Sequence, residues 1–186
     1  MGFIIFLVIV AGVVLWAIGS YNRLVGLRNQ VQNGWRQIDV QLKRRHDLIP
    51  NLVNAVRGSM DFERDTLTGV MDARAKAMAA TSPADAARKE GELSQAVGRL
   101  FAVAENYPVL KSNDNVKMLQ EELASTENKI GFARQFYNDI VTNFNTAQQR
   151  FPTNIFAGMF HFQPAELFQI SDAADREVPV VDLGRR

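Results

Sequence analysis

Hydrophobic residues along this chain fall into one unbroken apolar run, several seams with steps of three and four, and a closing cluster of aromatic rings. The run comes first. Phe3 to Ile18 is apolar throughout, and Met1 to Asn22 carries no charged side chain. Continued as a helix to Tyr21 it spans about 28 Å, enough for one bilayer crossing. A cleaved signal peptide has the same look, but no basic residue precedes the run and no small-x-small cleavage site precedes Tyr21. A retained anchor is the expectation. Trp16 and Tyr21 fall where an aromatic belt meets the head groups, and Arg23, Arg28 and Arg36 follow. The positive-inside rule then puts the body in the cytoplasm and the N-terminus outside.

A second stretch, Ser20 to Arg57, is a helical spine. Leu24, Val31, Ile38 and Leu52 interleave with Trp35, Leu42, Ile49 and Val56, alternating steps of three and four. Only Arg28 and Arg45 interrupt the seam. Pro50 cannot donate to the carbonyl of His46, so a helix kink or restart is expected there, with Asn51 and Asn54 near the freed groups. Gly58-Ser59 is a second weak point.

Met60 to Ala80 reads as a helix with Leu67, Val70 and Met71 on its buried side. Ser82 as N-cap, Pro83 at the first helical position and Asp85 in the first turn open another, which runs to about Glu105 with Leu93, Val97, Leu100 and Ala104 inward. It stops at Tyr107-Pro108. After the capping residues of 111–115 comes the most regular seam: Val116, Leu119, Leu123, Thr126, Ile130, Ala133, Tyr137, Ile140, Phe144, Ala147 and Phe151. Such a seam must be buried against other helices.

Pro152 ends that helix. The expected division is an anchor over 1–22, a helical body over 23–151 and a C-terminal tail over 152–186. In the tail Phe156, Phe160, Phe162 and Phe168 crowd a segment broken by Gly158 and Pro164. The rings can cap the open end of the body, wedge into the membrane surface or meet a neighbouring subunit, because clustered phenylalanines are poorly tolerated in open solvent. Val178 to Val181 is extended at most, a possible edge strand for another protein.

Composition adds little beyond charge placement. There are no cysteines, which removes disulfides, thiolate metal sites and lipidated cysteine anchors. The net charge of +1 hides an asymmetry, since Arg23 to Arg57 holds seven Lys/Arg against Asp39 and Asp47. A basic segment directly after an apolar one marks membrane proximity. Nucleic acid is not expected as a partner, because no stacking aromatics or reading motif accompany the charges.

No constellation for catalysis emerges. A di-iron bundle needs Glu-x-x-His on two helices, and neither His46 nor His161 has a glutamate three residues before it. Phosphate loops, nucleophile elbows and zinc spacings are absent too. No cofactor or metal is expected. What remains is a polar stripe beside the last seam, formed by Glu127, Gly131, Arg134, Asn138 and Asn145. Asp39, Lys43 and Asp47 of the spine are placed to face it, and an Arg134 pairing with Asp39 or Asp47 would fix helix register. A structural role outweighs a ligand site for this stripe.

The segments Trp35 to Val53, Val97-Gly-Arg-Leu100, Glu105-Asn-Tyr-Pro-Val-Leu-Lys111, and Leu119 to Ile130 followed by Ala133-Arg134 and Tyr137-Asn138 closely resemble the LemA family of bacterial membrane proteins. The resemblance covers about residues 1–170. It implies an all-α protein with one transmembrane helix and a cytoplasmic, antiparallel up-and-down four-helix bundle, in accord with the periodicity. It implies the bacterial cytoplasmic (inner) membrane and no established enzymatic activity. Genes of the family often neighbour those of membrane proteases or TPM-domain proteins, which are the partners the resemblance suggests. A self-assembling membrane scaffold is the expected role, with the lipid bilayer and further copies as partners. An adaptor for a membrane protease or other envelope protein is the alternative, and an enzyme or metal-binding bundle a more distant one.

Overall fold

The computed structural model describes residues 1–59 and 63–169, and these are helical except for short connections and a terminal extended segment. Six helices are present among them: α1 (Gly2–Arg57), α2 (Arg64–Met78), α3 (Pro83–Ala104), α4 (Pro108–Lys111), α5 (Asp114–Gln149) and α6 (Thr153–Met159). The edge-strand expectation for Val178 to Val181 lies outside the described residues.

The apolar run and the spine form one helix. α1 passes through Pro50 without a break and stops at Gly58, so the expected restart does not occur. Its first part is exposed along nearly its whole length, with Phe3, Ile4, Ile5 and Phe6 each more than half exposed. A helix that leaves this much apolar surface uncovered by its own chain suits an apolar surround. Beyond Ser20 the seam turns inward: Leu24, Ile38, Ile49 and Leu52 are fully buried and Val31, Leu42 and Val56 nearly so. Trp35 is half-buried.

α5 packs antiparallel along α1. Arg44 meets Glu122, Gly34 lies against Tyr137, and Leu24 clusters with Ala147, so the numbering falls along α5 as it rises along α1. The approach is close without depending on glycine: a methyl at Gly34 would make ordinary contact, 3.4 Å from Tyr137 Cδ2 and 3.5 Å from Ile140 Cδ1. Asn113 caps α5, its Oδ1 accepting from the N–H groups of Asn115 and Val116. The seam stays inward from Val116 to Ala147, with Leu119 and Ala133 half-buried. Phe151 departs from it at 80% exposed, because α5 ends at Gln149 and the helical period no longer governs where that ring points.

α2 and α3 form a hairpin whose second helix begins as its caps dictate. Ser82 Oγ accepts from the Asp85 N–H at 3.3 Å, and Pro83 takes the first helical position. The Lys89 ammonium, 2.7 Å away, holds the Asp85 carboxyl below its ordinary range. Leu67, Val70, Leu93, Val97 and Leu100 join Ile49, Leu52, Val53 and Val56 in one core at the far end of α1. A second core, nearer the apolar run, gathers Ile38, Ala87, Tyr137, Val141, Phe144 and, from the tail, Phe168.

Candidate functional site

Polar side chains converge at two places in the helical body, and exposed apolar ones at two others. The first polar cluster joins three helices. Arg45, which interrupts the spine seam, is buried and points at α3 and α5. Its Nη1 lies 3.3 Å from Glu90 Oε2 and 3.0 Å from Glu127 Oε2, and its Nη2 donates to Ser94 Oγ at 2.8 Å. The other oxygen of Glu90 sits 2.6 Å from His46 Nε2. Glu90 is 2% exposed, so both of its oxygens are spent on protein partners rather than water. The sequence signal was available: Glu90 extends the α3 seam of Leu93, Val97, Leu100 and Ala104 one step towards the N-terminus, as Arg45 extends the spine. Two opposite charges at core positions of facing helices need each other, and this pair ties α1 to α3.

Arg74 completes this region. Its Nε donates to the carbonyl of His46 at 2.7 Å, the acceptor left without its helical donor by Pro50. Asn51 and Asn54 were expected near that group, but the partner comes from α2. A groove of about 400 Å³ opens beside the cluster, lined by Arg45, Ser94, Phe101, Leu123 and Glu127 among others. Arg45, Ser94 and Glu127 already pair with one another there, and among the described residues no group of three or more His, Cys, Asp or Glu converges on a metal-sized point.

The second polar cluster binds the tail. Asn138 Nδ2 donates to the Phe168 carbonyl at 3.1 Å while its Oδ1 accepts from the Phe168 N–H at 2.9 Å. Asn145 repeats this with Ala165, at 2.9 and 2.8 Å. Between them the Tyr137 hydroxyl donates to the Glu166 carbonyl at 2.8 Å. Seven helical residues rise about 10 Å and three extended residues span about the same, so two asparagines on one helical flank match two backbone positions of a strand. Each amide acts as a neighbouring strand would, and the tail runs antiparallel to α5. Phe168 is thereby driven into the core, fully buried, with its ring centroid 5.9 Å from that of Trp35. Burial of such a ring contributes about 2 kcal/mol.

The remaining members of the expected stripe are placed otherwise. Asp39, Lys43 and Asp47 are exposed, and the expected pairing of Arg134 with Asp39 or Asp47 is not made among the described residues. Arg45 holds the position between α1 and Glu127 that this pairing would have served. Arg134 and Gly131 are half-buried on α5.

The first apolar surface lies on the flank of α1 and α5. Val40, Phe132 and Phe136 are 62%, 75% and 51% exposed. They line a groove of about 610 Å³ bordered by Arg36 and Lys129, and buried Gln41 Oε1 in its wall has no hydrogen-bond partner among the described residues.

The second apolar surface is α6 at the foot of the apolar run. Phe156 meets Trp16 edge-on with centroids 5.3 Å apart, and Phe160 lies 4.8 Å from Tyr21. His161, at φ 53°, then reverses the chain. Phe162 contacts Tyr21 and Phe144 and carries the Arg28 guanidinium 5.4 Å above its ring. Arg23 is exposed. The four tail rings therefore divide: Phe168 in the core, Phe162 and Phe156 half-buried, Phe160 half exposed.

These features define a membrane-associated, all-helical protein whose polar clusters are built into its own packing. The LemA family model matches residues 34–183, and the chain belongs to the LemA family. The match leaves out residues 1–33, which hold the apolar run, and extends past residue 170. The chain is similar to protein LemA of Metamycoplasma hominis, 26% identical over 186 residues that cover 97% of this chain and 84% of that protein. It is also similar to magnetosome protein MamQ 2 of Paramagnetospirillum magneticum, 26% identical over 184 residues, 85% of this chain and 68% of the relative. Magnetosome protein MamQ of Magnetospirillum gryphiswaldense is 23% identical, with the same coverage.

Proposed function

We propose that this protein is a non-enzymatic membrane scaffold that assembles with further copies of itself on the bilayer to which α1 fixes it. The exposed face of Val40, Phe132 and Phe136 carries the reading. Val40 follows Tyr21 on the same helix by about 28 Å of axial rise, out of reach of a bilayer entered at Tyr21. Aromatic rings so placed call for a protein cover. A second copy supplies rings to meet rings, together with Arg36 or Lys129 as a donor for Gln41 Oε1. The names of the relatives, protein LemA and magnetosome protein, name no reaction, which supports a role without catalysis.

In this reading α1, α2, α3 and α5 act as one antiparallel four-helix bundle on the cytoplasmic side of a bacterial inner membrane, the N-terminus outside, as Arg23, Arg28 and Arg36 favour. The chain has no cysteine, so single cysteines report cleanly. An impermeant thiol reagent on intact cells should label Gly2→Cys and spare Ala84→Cys; the reverse pattern overturns the orientation. In isolated membranes, oxidation should link Lys129→Cys chains into dimers and leave Ala84→Cys chains single. No dimer in either case, with Lys129→Cys linked only to another envelope protein, would instead support the adaptor.

A further inference from the structure

The bundle-side end of the anchor holds more apolar surface than one crossing helix requires. α6 buries Ala157 against Leu24 and Ala147, which seats it on both long helices. Its other side is open: Ile155, Met159 and Phe160 are 53%, 62% and 50% exposed, and Phe151 just before it 80%. From Phe151 to Ala165 the chain has no Asp, Glu, Lys or Arg. Charges resume on either side, with Arg150 before the stretch and Glu166 after it.

The depth of this element follows from its contacts. Phe156 packs on Trp16, and Trp16 precedes Tyr21 by about 7.5 Å along α1. The chain thus dips about one and a half turns below the level of Tyr21 before His161 turns it back. Helices lying in a membrane surface sink about 5–10 Å into the boundary between head groups and acyl chains. Exposed Arg23, Arg28 and Arg150 stand above this level, where lipid phosphates would be.

We infer that α6 is a wedge lying in the surface of the lipid bilayer beside the anchor, with Ile155, Met159 and Phe160 among the upper acyl chains. Lipid is the occupant because the patch is continuous with the apolar face of α1 that the bilayer already covers, through the Phe156–Trp16 and Phe160–Tyr21 contacts. The wedge widens the protein in one leaflet only, since α6 meets α1 at its bundle end. Amphipathic elements of this kind respond to curvature and lipid packing. The inference stands whether or not copies assemble through Phe132 and Phe136.

The test uses the full-length chain in vesicles of phosphatidylcholine and phosphatidylglycerol. Ile155→Cys and Met159→Cys, both at exposed positions, carry an environment-sensitive fluorophore. Gly19→Cys on the anchor, where an added side chain meets nothing within 4 Å, and Ser125→Cys, exposed on the bundle, are the references. Quenchers are a lipid with a nitroxide high on its acyl chain and iodide on both sides of the membrane. Labels at 155 and 159 should follow the label at 19: quenched by nitroxide, spared by iodide and blue-shifted relative to 125. Iodide quenching equal to that at 125 would overturn the inference by placing the patch in water. Protection from both quenchers would overturn it equally, by showing protein over the patch.

Discussion

Arg74 Nε donates to the His46 carbonyl across 2.7 Å, replacing the donor that Pro50 lacks one turn further along α1. The contact explains how a proline sits inside an unbroken helix: the acceptor it strands is claimed by another helix. Arg74→Ala should lower stability by about 1–3 kcal/mol, the cost of leaving a buried acceptor unpaired. In a Pro50→Ala background, where the helical N–H returns, the same change should cost clearly less. Thermal unfolding of the four proteins in detergent measures the coupling, and equal losses in both backgrounds would show that the two residues are not linked.

Asn138 and Asn145 hold the tail as a strand is held. Either alanine variant should lose about 1–3 kcal/mol. A general loss of packing would look similar in a melt, so amide exchange is the better reading. Protection should fall first at Phe168 in Asn138→Ala and at Ala165 in Asn145→Ala. Unchanged protection at both would mean the amides contribute nothing to docking.

Burial first, and Glu166 second, push the Tyr137 phenol up to about 12. The unfolded phenol ionises near 10. The neutral form is favoured on folding, so this stability is complete below about pH 10 and is lost as pH rises through 12. Ionised Tyr137 also has no proton to donate to Glu166. An alkaline unfolding profile should show this loss in the parent, and Tyr137→Phe should flatten it.

Glu90 and Glu127 both touch Arg45 but differ in exposure, their side chains being 3% and 48% exposed. Glu90→Ala leaves Arg45 without its buried partner and should cost about 3–5 kcal/mol. Glu127→Ala should cost less than about 1 kcal/mol, since water screens that pair. Denaturant unfolding decides, and similar losses for the two would contradict the burial argument.

The seams were legible because helical periodicity is local: Pro83 to Ala104 and the inward face from Val116 to Ala147 follow from residues three and four apart. Partners remote in sequence leave no such trace. The flank carrying Asn138 and Asn145 could be read, but not that its partner is extended backbone at Ala165 and Phe168, because an irregular segment has no period. Arg45 and Glu90 each fall on a seam position of their own helix, but that the two meet is decided by packing, which sequence spacing does not report. Phe168 also bears on experiment, since a truncation after Phe151 removes a core ring and would confuse unfolding with loss of assembly.

The mass of the full-length protein in detergent, by light scattering, tests self-assembly most directly. Phe132→Ser with Phe136→Ser is the comparison, because both rings are exposed and their loss leaves the core untouched. The scaffold reading predicts a discrete multiple of the single-chain mass for the parent and a smaller particle for the double variant, with equal helix content. A parent of single-chain mass, unchanged by the two substitutions, would contradict it.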